Sequence, residues 1–204
     1  MQGYVITDPG RLAQLDLPEG EPPSWFPLLS WRATSVLGEV EFGRLFETFE
    51  RTAFRLETLS VYDVEEEREE FEAFLAGKPM PPEWSDNPWV RSMTDLGKTV
   101  SRVHVLSSPL TDYLRYELSA YPGNITAGES IGIIDLARQR VTGLPDHDFW
   151  LFDDAVVYRM HYTGSGKFLG AEQLAPARLP EYRGYRDVAQ AAAVPFADYW
   201  EQYH

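Results

Sequence analysis

A chain of 204 residues, 44% hydrophobic and 14% aromatic, can bury a real core within one ordinary domain, and that composition excludes a disordered protein. The absence of cysteine excludes disulfides, thiolate catalysis and cysteine-ligated zinc or iron–sulfur centres. Thirty-two acids against eighteen Lys and Arg give a formal charge of −14, and a surface of that sign repels phosphate backbones, so direct nucleic-acid binding is not expected.

The first residues, "MQGYVITDPGRLAQLD", carry neither a basic nor an apolar leader segment, and no apolar run reaches the length of a membrane span, so a cytoplasmic protein is expected. Residues 1–24, rich in Pro, Gly and Glu, read as an N-terminal arm ahead of a single domain over 25–204. "SWFPLLSW" follows, and Trp25, Phe26 and Trp31 are candidates for the apolar centre of a contact with a partner or a second copy in a homodimer. The same three aromatics could instead close the domain's own core.

In "GEVEFGRLFETFERTA", Phe42, Leu45, Phe46, Phe49 and Ala53 recur at helical spacing. "FRLETLSVYDV" reads as a strand carrying Phe54, Leu56, Leu59 and Val61, with a slip of phase near Thr58. "DVEEEREEFEAFLAG" predicts a helix with Asp63 as N-cap, a solvated glutamate face and a stop at Gly77. The proline-rich "KPMPPEWSDNPW" is a loop within the domain. A short helix over "PWVRSMTDLGKT" leads to a strand marked by Val100, Val103 and Val105. Leu110, Leu114 and Leu118 then form one helical stripe that Pro122 and Gly123 close, and "ESIGIIDLA" is a short strand.

"FWLFD" and "VVYRMHY" are β-rich runs around "DDA", so the stretch Pro145–Tyr162 reads as a hairpin with Asp153 and Asp154 forming the turn and Asp148 pairing locally. Val156, Tyr158, Met160 and Tyr162 share one face of the second run, and Val157, Arg159 and His161 share the other. "TGSGKFLGAEQL" turns at Gly164–Gly166 into a further strand, and a final helix over roughly 185–204 is bent or broken near Pro195. This order predicts a mixed α/β single domain: a central mixed sheet with flanking helices and a C-terminal hairpin plus helix.

Catalytic templates fail: the chain has no GxSxG elbow, phosphate-binding Walker loop, HExxH or EF-hand spacing, and neither a metal site nor a cofactor is expected. The histidines are scarce. His104 alternates with Arg102 on one strand and His161 with Arg159 on another; were those strands neighbours, the four side chains would meet on one sheet face and could bind a phosphate or carboxylate. Cross-strand pairing with acids on a half-exposed sheet is the competing account.

The strings "FGRLFETFERTAFRLETLSVYDV", "LRYELSAYPGNITAGESIGIID" and "HDFWLFDDAVVYRMHYTGSGKFLGAEQL" resemble an actinobacterial family catalogued only as a domain of unknown function, over roughly residues 25–200. The resemblance implies genomic company with Xre-type helix-turn-helix regulators and supplies no catalytic residues. A looser likeness, to one half of a phospholipase D-type domain, implies a fold without that class's chemistry, because no histidine is followed two places later by lysine. Two functions are therefore expected to compete. One is a non-enzymatic regulatory protein that binds a basic DNA-binding regulator, or senses a small ligand for it. The other is an enzyme or ligand-binding domain for a phosphorylated or nucleotide-like molecule, using Arg102, His104, Arg159 and His161. An antitoxin component is a third class that the acidic charge permits.

Overall fold

The computed structural model describes residues 36–79 and 81–202; the arm assigned to 1–24 and the aromatic segment with Trp25, Phe26 and Trp31 lie outside the described residues. The expected mixed α/β domain is present. Eight strands form one sheet: β1 (Val36–Leu37), β2 (Thr52–Glu57), β3 (Thr99–Leu106), β4 (Ser130–Asp135), β5 (Phe149–Phe152), β6 (Val156–Tyr162), β7 (Phe168–Gln173) and β8 (Val194–Pro195), in the order β1-β7-β6-β5-β2-β3-β4-β8. β2, β3 and β4 run parallel, joined by helical crossovers, whereas β5, β6 and β7 form an antiparallel meander that meets the parallel half where β5 pairs β2. The helices are α1 (Glu39–Gly43), α2 (Leu45–Thr48), α3 (Arg68–Leu75), α4 (Pro88–Asp95), α5 (Asp112–Thr126), α6 (Leu179–Ala192) and α7 (Phe196–Glu201).

Helices cover both faces of the sheet, so the central strands are buried on both sides and do not alternate between core and water. One face carries Trp150, Phe152, Tyr158 and Met160 against Phe42 of α1, Phe46 of α2 and Phe49 just after it, with Trp89, Val90 and Met93 from α4. Further along this face, Leu106, Ile131 and Ile133 meet Leu114, Leu118 and Tyr121 of α5 and Phe196 and Tyr199 of α7. The other face packs Phe54, Leu56, Val103, Phe149 and Val157 under Tyr182 and Ala189 of α6. Trp150 and Phe152, in a central strand, are buried as the apolar density of "FWLF" implies.

Several boundaries differ from the expected ones for identifiable reasons. The helix expected through Ala53 breaks at Arg44 and ends at Thr48, and Ala53 belongs to β2, whose ladder to β3 and β5 wins over helical spacing. Asp63 does not cap α3: a 3₁₀ turn over Glu65–Glu67 precedes it, with no side-chain cap. Its end is as expected, with Gly77 at φ +70° and bonds from Gly77 N–H to the Phe74 carbonyl and from Lys78 N–H to that of Ala73. Pro122 and Gly123 do not close α5, which runs on to Thr126. The last helix starts earlier than expected, at Leu179, and its break near Pro195 is the two-residue strand β8 paired to β4.

The hairpin turn is built from Asp153 and Asp154, both left-handed at φ 53° and 55°. Asp153 Oδ1 accepts from the backbone N–H groups of Arg51 at 2.6 Å and Thr52 at 3.0 Å, and Oδ2 accepts from Glu50 N–H at 2.8 Å, which ties the turn to the start of β2. Gly166, at φ +90°, lies where an added Cβ would stand 2.3 Å from the Val61 carbonyl oxygen, so its glycine serves a close backbone approach.

Candidate functional site

The residues with the most chemistry in them lie beneath α5, on the β2–β3 portion of the sheet. Strand register sets Arg55 beside Arg102 and Glu57 beside His104, all four on one face and buried. α5 adds Glu117, Tyr121 and Asn124, at helical spacing on its inner stripe, and Glu129 follows from the loop before β4. Arg102 donates to Glu129 with two nitrogens, Nε at 2.6 Å and Nη2 at 3.3 Å, and its Nη1 donates to Glu57 at 3.1 Å while its guanidinium lies 5.1 Å from the Tyr121 ring centre. Arg55 pairs with the other Glu57 oxygen at 2.9 Å and sits against the Trp150 and Tyr62 rings. Asn124 donates to Glu129 at 2.6 Å.

The electrostatics follow from burial and pairing. Burial pushes the Glu57 carboxyl up, but Arg55 and Arg102 beside it more than reverse this and hold it at about 2. Burial pushes His104 down to about 4, so it is neutral at physiological pH. Burial and the neighbouring Glu57 charge push Glu117 well above the carboxylate range. Burial likewise raises Asp148, against Arg55 and the hydrogen bonds from Tyr62 at 2.6 Å and Thr58 at 2.7 and 2.9 Å. Asp148 therefore pairs with residues some ninety positions away, not locally.

The four side chains proposed from the sequence do not converge. β6 and β3 are separated by β5 and β2, and register puts Arg159 beside Phe149 on the face opposite Arg102 and His104. Arg102 and His104 are sealed in the interior, whereas Arg159 and His161 are half-buried under the other layer, where His161 Nε2 meets Glu172 at 2.9 Å. Sequence reasoning missed Arg55, Glu57, Glu117 and Glu129. A signal for Glu117 existed: it stands three after Leu114 and four before Tyr121, so it shares their buried stripe.

On the outside, acids dominate. Asp63, Glu65, Glu66, Glu69 and Glu72 are exposed along the start and length of α3, next to an exposed Leu75, whereas Glu67 in the same run is buried and accepts from Tyr113 at 2.7 Å. Among the described residues, no helix is long and apolar enough to cross a membrane.

An ionic interior locked between a mixed sheet and a long helix, with an acidic exterior, defines a single-domain α/β protein whose best-placed ionisable groups face one another. The chain belongs to the family described as Domain of unknown function (DUF6879), whose model matches residues 40–201. No curated protein and no solved structure matches the chain.

Proposed function

We propose that the protein is a non-catalytic interaction module whose acidic exterior binds a basic protein partner, a DNA-binding regulator being the class that fits best. The observation that carries this is the division of its ionisable groups. Arg55, Glu57, Arg102, His104 and Glu117 are turned inward and engage one another, while Glu65, Glu66, Glu69 and Glu72, just before and along α3, are exposed. An acidic ridge with an apolar residue at its end steers a basic surface toward it and gives it something to bury. The resemblance to an actinobacterial family encoded beside Xre-type regulators supports the same partner class, and such a pair would work in the cytoplasm. A homodimer that uses Trp25, Phe26 and Trp31 is the competing reading of that aromatic segment. The phospholipase D-type likeness adds fold-level analogy alone.

The test is calorimetric titration of the chain with a purified Xre-type helix-turn-helix regulator at about 0.05 M and about 0.5 M salt, where screening differs several-fold. Binding that weakens with salt, and that Glu65→Lys with Glu69→Lys weakens further, is expected. No association, together with turnover of a phosphoester that Arg159→Ala abolishes, would favour the alternative of an enzyme for phosphorylated molecules.

A further inference from the structure

We propose that Glu57, His104 and Glu117 form a structural site for a divalent transition-metal cation. One ligand atom from each lies within 4.8 Å of the other two, and all three side chains are buried. His104 Nδ1 stands 3.9 Å from Glu57 Oε2 and 3.9 Å from Glu117 Oε2. Ligand atoms around a tetrahedral ion with bonds of roughly 2.1 Å are roughly 3.4 Å apart, so small carboxylate rotations would complete the set.

Three observations point to an ion. Among the described residues, no N–H or hydroxyl donor reaches either oxygen of Glu117, whose side chain is only 1% exposed; its carboxyl instead meets that of Glu57, and two facing carboxyls need a proton or a cation between them. With Nε2–H directed at the Leu59 carbonyl, 3.4 Å away, His104 keeps Nδ1 as an acceptor, as metal-binding imidazoles do; it takes the Tyr121 hydroxyl at 2.7 Å and stands 3.9 Å from each carboxylate oxygen. The interior is also short of cations. Arg55 and Arg102 share it with five buried carboxyls, Glu57, Glu67, Glu117, Glu129 and Asp148. Each carboxyl beyond the two guanidinium groups must hold a proton or meet another cation. Binding would exchange the Tyr121 hydroxyl's hydrogen bond to Nδ1, 2.7 Å long, for its contact with Glu57 Oε2 at 3.4 Å. Two carboxylates and one imidazole, in a closed setting without thiolate, suit zinc or manganese(II). A site this enclosed would be loaded as the chain folds and would act by stabilising it.

The experiment refolds the full chain from denaturant with Zn(II), with Mn(II) or with EDTA, then measures bound metal by elemental analysis and stability by thermal unfolding. Expected are one equivalent of metal and a higher melting temperature for the metal-refolded protein. Glu117→Gln, which keeps the shape of a protonated acid, should fold and lose metal affinity by at least the roughly 10–100-fold that removal of an outer partner costs elsewhere. Glu67→Gln, outside the triad, should bind as wild type does. Co(II) refolded into the wild type gives a readout that needs no substitution, and the absorption of low-symmetry nitrogen–oxygen cobalt is expected. Wild type that takes up no metal and melts identically in EDTA, or Glu117→Gln that binds metal undiminished, would overturn the site and leave a proton on Glu117 in the ion's place.

Discussion

Glu67 is a member of a glutamate run, yet burial pushes its carboxyl up to about 8 against the opposing hydrogen bond from Tyr113. Its folded pKa lies above its unfolded value of about 4.5, so between these limits the folded state holds a proton that the unfolded state releases. The stability this contributes is complete below the lower value and is lost as pH rises through the upper one. Glu67→Gln should therefore gain on wild type across that window by up to about 1.4 kcal/mol per pH unit, measured by urea unfolding at several pH values. A difference that stays flat with pH would mean that Glu67 is ionised in the fold. Asp153 is the opposite case, a carboxylate held below its usual range: modest burial would raise it, but three backbone N–H donors win. Asp153→Ala should cost about 1.5–3 kcal/mol by the same measurement. The turn role of Asp153 was legible in the sequence; the burial of Glu67 was not, because a run of like residues gives no sign of which member rotates inward ahead of the helix.

Strands and helices with a strong period were legible as elements: β3, β4, the β5–β6 hairpin and α4 fall where the pattern puts them. The environment of β2 was not. Its Arg55 and Glu57 alternate with Phe54 and Leu56 as if one face met water, and only the tertiary cover by α5 makes both faces interior. The candidate site was half legible for the same reason: Arg102 and His104 stood out as scarce residues on a strand, but their partners come from three other stretches of chain. At this scale Trp150→Ala, which empties the middle of β5 beside Phe46 and Phe152, should cost about 3–5 kcal/mol in chemical unfolding; a midpoint near that of wild type would rule out a central role for the hairpin. Gly123→Ala should cost more than about 4 kcal/mol, because its Cβ would stand 1.8 Å from the Trp84 carbonyl oxygen and force α5 off the loop beneath it. Near-normal stability of that variant would show that the loop yields.

For the molecule as a whole, the formal charge of −14 predicts no affinity for duplex DNA at physiological salt, checked by fluorescence anisotropy with the chain alone; salt-dependent sub-micromolar binding would contradict it. Composition made that charge legible, but not that five of the acids are enclosed with two arginines, which leaves fewer of them at the surface. The attachment of β2 to β5 has a temporal consequence. β2 emerges early in synthesis, whereas the strand that lines its other edge, and the Asp148 and Asp153 carboxylates that anchor its two ends, are made about a hundred residues later. Until the ribosome has released that later stretch, Arg55 and Glu57 have only half of their surroundings, and the early part of the chain stays open to chaperones and proteases. A fragment ending before Phe149 would be left in that state for good, so a shortened chain would lose every surface of the fold at once, by failing to fold.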